Sequence, residues 1–126
     1  MKLMEEKEEL IKRTEQLKKY NNEALDAYTN IAQVPDYSPD FFTEVKPFAD
    51  KVKECADQWK PLAEQWVVDD KPTYFYLKQI EDTHENILIS SVTAFQSDTK
   101  EKRFREMIQS IDYILSGIEK EIDVNQ

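Results

Sequence analysis

The stretch DFFTEVKPFADKVKECADQWKPLAEQWVV, Asp40 to Val68, decides the fold. Its Phe42, Val45, Ala49, Val52, Ala56, Trp59, Ala63 and Trp66 recur at alternating steps of three and four, the spacing of one face of an α-helix. Phe41, Phe48, Cys55 and Leu62 lie one residue behind them and widen that face beyond a simple two-helix seam, so the helix must be packed on several sides. Pro47 and Pro61 each remove a backbone hydrogen bond and crowd the carbonyl four residues earlier, at roughly 3 kcal/mol in an ideal interior. A break or restart near Lys46 and Pro47 and a kink near Pro61 are therefore expected. Ser38, Pro39 and Asp40 read as the start: serine as cap, proline at the first helical position, and aspartate against the positive helix end.

Outward from this stretch, residues 3–33 carry Leu3, Met4, Leu10, Ile11, Thr14, Leu17, Ala24, Leu25, Tyr28 and Ile31 along one side, with Glu and Lys on the other. The short run 69–73 forces the next helix to turn back antiparallel. That third helix is expected over 74–96, with Leu77, Ile80, Ile87, Leu88, Ser91, Ala94 and Phe95 inward. A fourth is expected over 99–123, with Asp98 as cap and Glu101 completing a capping box. It repeats Phe104, Ile108, Ile111, Leu115, Ile118 and Ile122 at steps of four and three, with Gly117 inside it at about 0.5–1 kcal/mol against Ala. The chain thus reads as all-α, one domain over 1–126, an antiparallel up-down-up-down four-helix bundle (helices 3–33, 39–68, 74–96, 99–123) with its second helix kinked or broken.

Composition agrees. The chain is 126 residues long and 40% apolar, enough for one domain with its own core, and its single glycine leaves few positive-φ positions for a β-rich fold. A net charge of −9 disfavours nucleic acid and anionic membrane, both of which are gripped by Lys and Arg. The acidic N-terminus does not resemble a signal peptide. The longest uncharged run, residues 86–97, is far short of the roughly 20 needed to span a bilayer. With one cysteine and no internal disulfide to form, a cytoplasmic protein is expected.

The pieces Tyr37-Ser38-Pro39-Asp40-Phe41-Phe42-Thr43-Glu44-Val45-Lys46-Pro47, Asp57-Gln58-Trp59, Lys71-Pro72, Lys78-Gln79-Ile80-Glu81 and Lys102-Arg103-Phe104 occur in this order across residues 37–122. In them the chain resembles the YppE-like family of small proteins from Bacillus-type Gram-positive bacteria. The resemblance implies a four-helix bundle, a cytoplasmic bacterial origin and no assigned biochemical function. It carries over no active-site residue.

The residues themselves offer few sites. His84 stands in a Glu-x-x-His pattern with Glu81, but di-metal bundles need that motif twice and the chain has one histidine, so His84 reads as solvent-facing and no metal is expected. Cys55 lies beside the most apolar face, where desolvation raises a thiol's pKa and makes it inert. No phosphate loop can be built around one glycine. No catalytic residue and no cofactor are expected.

Two clusters remain. Lys100, Lys102, Arg103 and Arg105 give residues 100–105 a net +3 while residues 106–126 carry −4, the wrong order for a helix dipole. Either they pair internally with Asp26, Asp36 or Asp40, or they meet an acidic partner. Tyr74, Phe75 and Tyr76 cannot all point inward if helical, since successive residues lie about 100° apart, so at least one is available as a partner anchor. The expected function is a non-catalytic protein-binding or assembly module, using the wide face of the second helix or the aromatic end, with a second copy of the chain among the candidate partners. The alternative is a small-ligand carrier or enzyme with a pocket between the helices near Thr83, Ser90, Ser91 and Thr93.

Overall fold

The structure, a computed structural model, describes residues 2–124, with side chains described from 5 to 123; the expected placement of Leu3 and Met4 lies outside the described side chains. Four α-helices form the bundle: α1 (Lys2–Ala27), α2 (Lys46–Asp70), α3 (Leu77–Thr93) and α4 (Glu101–Val124). Each packs on its neighbours in sequence and α1 closes the ring against α4, which is the expected up-down-up-down order. Single π-helical turns extend α1 over Tyr28–Ala32 and precede α2 over Phe41–Val45.

The core is continuous along the bundle. Its main part is built around Trp59, fully buried among Leu17, Val52, Ala56, Ile111, Leu115 and Ile118. A second cluster at the end holding the α1–α2 connection joins Tyr28, Val45, Phe95 and Phe104, with Tyr28 stacked on Phe104 at 4.5 Å between centroids. Phe48 links the two parts, meeting Tyr20 edge-on at 6.0 Å and Phe95 at 5.8 Å. The apolar spacing of α2 is buried from Val52 to Trp66, and the helix runs unbroken through Pro61.

Four local expectations are corrected. Phe41 and Phe42 are not in the core but are 53% and 75% exposed. The Lys46 N–H donates to the Phe41 carbonyl five residues back, so this turn holds one residue more than an α-turn and shifts the seam out of phase before Val45. The cap is Asp40 rather than Ser38: its Oδ1 accepts from the N–H groups of Phe42 (3.0 Å) and Thr43 (3.2 Å). The third helix starts at Leu77, not at 74, because Lys71 ends α2 in the left-handed conformation (φ 47°) and Tyr76 is extended; Leu77 is consequently 47% exposed rather than inward. The fourth helix begins at Glu101, its first backbone bond running from Phe104 N–H to the Lys100 carbonyl, and among the described residues no side-chain bond from Asp98 caps it. Thr99 fixes that start, its carbonyl taking the Tyr28 hydroxyl (2.5 Å) and its hydroxyl donating to the Thr93 carbonyl (3.1 Å).

Candidate functional site

The end of the bundle that contains the α1–α2 connection gathers the features that chemistry inside the core lacks. The π-turn leaves Phe41 and Phe42 outside, their rings edge-on at 5.3 Å, and the end of α1 adds exposed Ile31 and Val34. The turn is held from both sides: Asp40 caps it, while the Glu44 carboxylate accepts from the Tyr37 hydroxyl (2.7 Å) and from Asp40 N–H (3.3 Å). Burial, and then that bond to Glu44, pushes the Tyr37 phenol up to about 12. The aromatic pair therefore sits on a braced turn. Ile31 also departs from expectation, since it was placed on the apolar side of the first helix.

The same end holds the start of α4. Lys100, Lys102, Arg103 and Arg105 are all exposed. Arg105 pairs with Glu101 on its own helix, Nε to Oε1 at 3.0 Å. Among the described residues, no ion pair joins the cluster to Asp26, Asp36 or Asp40, and the Asp40 carboxylate is turned to its cap instead. Internal pairing does not account for the reversed charge of α4.

At the opposite end, Tyr74 and Tyr76 are 75% and 60% exposed, as expected of part of the aromatic run. Phe75 is not a surface anchor: its ring packs on Trp66 at 5.5 Å and its Cζ lies 2.8 Å from where a Cβ on Gly117 would stand. The wide apolar face of α2, another expected partner surface, is consumed by the core. What the sequence pattern could not give was Phe41 and Phe42, because they keep the helical spacing that the extra residue of the π-turn cancels.

The residues with reactive chemistry are engaged elsewhere. His84 is not solvent-facing; its Nε2 meets Asp57 Oδ1 at 2.8 Å, because the α2–α3 contact puts the two opposite each other. Lys53 first and His84 second hold the Asp57 carboxyl below its usual range. Cys55 is 5% exposed with Sγ 3.7 Å from the Arg13 carbonyl, and burial pushes its thiol up. Ser90, Ser91 and Thr93 donate to the carbonyls of Ile87, Leu88 and Ile89 on their own helix. Two polar residues bind across the core: Thr14, expected on the inward side, accepts through Oγ1 from the Trp59 indole (3.1 Å), and Asn21, which the pattern hid, donates through Nδ2 to the Ile108 carbonyl (3.0 Å).

No helix among the described residues is long and apolar enough to cross a membrane. The chain is 27% identical to the uncharacterized protein YppE of Bacillus subtilis over 113 residues, covering 90% of this chain and 91% of that one. Its fold matches the crystal structure of a protein of unknown function from Listeria innocua with a TM-score of 0.85, at 31% identity and 91% coverage of both chains. It matches the crystal structure of Bacillus subtilis YppE equally well, with a TM-score of 0.85 at 27% identity over 92% of this chain and 94% of that one. The family model for a bacterial domain of unknown function, DUF1798, spans residues 14–122, and the chain belongs to that family.

Proposed function

We propose that the chain is a cytoplasmic, non-catalytic binding module that receives an acidic protein partner at the end of the bundle formed by the α1–α2 connection and the start of α4. One observation carries this: an exposed, braced Phe41–Phe42 pair shares its end of the molecule with Lys100, Lys102 and Arg103, which have no ion-pair partner among the described residues. Aromatic anchors within a charged rim are what a protein interface uses. The engagement of His84, Cys55 and the α3 hydroxyls in internal contacts supports a role without catalysis. Symmetric self-association through this end is disfavoured, because two copies would face their basic clusters, +3 each over residues 100–105, against one another.

The test uses three proteins as bait in lysate of the source bacterium: the unaltered chain, Phe41→Ser with Phe42→Ser, and Lys102→Glu with Arg103→Glu. The expected result is one acidic protein retained by the first bait, lost by the second, and bound by the first in purified form with an affinity that falls as salt is raised. A partner retained equally by all three, or none retained by the first, overturns the reading.

A further inference from the structure

Away from that end, a groove of about 230 Å³ lies between the N-terminal part of α1 and the C-terminal part of α2. Leu10, Pro61, Leu62 and Trp66 line it with apolar surface. An engineered cavity of about 150 Å³ admits benzene, so there is room for one aromatic ring and a small head group. The charge around the groove is one-sided. Glu6, Asp69 and Asp70 stand against the single cation Lys7.

That lysine already shows what the site accepts, since its Nζ sits 2.9 Å from Asp70 Oδ2. Asp69 takes one bond through Oδ1 from Gln65 Nε2 at 2.8 Å, which leaves its second oxygen for a further donor. A planar head with paired N–H donors suits carboxylates better than a point charge does. An anion would meet only Lys7, already engaged.

We propose that this groove binds a small arylamidinium or arylguanidinium cation, its ring against Leu10, Leu62 and Trp66 and its head between Glu6 and Asp69. The site stands apart from the protein-docking end, so either can fail without the other.

Benzamidine is the probe, titrated into the isotope-labelled protein with benzoate and benzyl alcohol as controls. The two indole N–H signals, assigned with Trp66→Phe, give an internal reference: Trp59 is fully buried and bonded to Thr14, so only Trp66 can report the groove. Benzamidine should shift Trp66 saturably and leave Trp59 still, while benzoate gives no saturation and benzyl alcohol binds more weakly. Glu6→Gln with Asp69→Asn should weaken benzamidine at least about fivefold, the change that loss of ~1 kcal/mol of charge interaction produces, with helical content unchanged. Saturation by benzoate, equal binding of benzyl alcohol, a silent Trp66, or full affinity in the double variant overturns the proposal.

Discussion

A methyl group on Gly117 would stand 2.8 Å from Cζ and 3.2 Å from Cε1 of Phe75. In an exposed helix the change to alanine gains about 1 kcal/mol, but here the added carbon must displace a ring that Trp66 also holds. Overpacking of that kind costs about 1–3 kcal/mol, so it outweighs the gain. Gly117→Ala should lower stability by about 1 kcal/mol in urea unfolding. Phe75→Leu, which withdraws the ring tip, should cost less in the Gly117→Ala background than alone; additive costs would show that ring and glycine do not oppose each other. Neither partner was legible beforehand. A glycine inside an apolar repeat reads as a blemish until a residue 42 positions away, in a connection, is seen to lie over it. The same holds for Asn21 and Thr14. Nothing in their neighbours announces that one meets the Ile108 carbonyl and the other the Trp59 indole, because both bonds cross between helices.

Each helix as an element was legible because three-four spacing survives any local detail, whereas its ends were not. Ends depend on single hydrogen bonds, and Ser38 and Asp40 are equally good caps by residue type. The structure selects Asp40, with two N–H donors on its carboxylate and Glu44 bonding back to its N–H. Asp40→Ala should therefore cost about 1 kcal/mol, within the usual range for lost caps, and Ser38→Ala close to nothing. Urea midpoints at unchanged slope read the difference; the reverse order would restore Ser38 as the cap. The π-turn was hidden for a related reason. Its extra residue leaves the hydrophobic letters in sequence while rotating Phe41 and Phe42 outward, so an exposed aromatic pair lay inside the stretch that looked most like core. Asp40→Ala should also weaken any partner that rests on those rings, since it loosens the turn presenting them.

Among the described residues, ion pairs cross three of the four contacts between sequence-adjacent or ring-closing helices. Lys7 meets Asp70 between α1 and α2, Lys18 meets Glu119 between α1 and α4, and His84 meets Asp57 between α2 and α3. Other ion pairs stay within one helix, as at Lys46–Asp50 and Lys78–Asp82. This is why net charge spoke to partners but not to topology. The Asp57 pair gives the bundle a defined acid response. Its carboxyl is held low in the folded state, first by Lys53 and then by His84, against about 3.9 when unfolded. A depressed folded value means the ionised form favours folding, so the contribution is complete above about pH 5 and disappears as pH falls through the folded value below 3.9. With the Asp57 side chain 43% exposed, the contribution is that of a screened surface pair, about 0.2–1 kcal/mol. Unaltered protein and Asp57→Asn should thus differ while Asp57 is ionised, and the difference should shrink as pH falls below about 4. A double-mutant cycle with His84→Gln separates the link between α2 and α3 from the Lys53 contact on the same helix. If the two proteins differed more at pH 3 than at pH 6, the fold would be favouring the protonated acid, and Asp57 would not be the anion that ties α2 to α3.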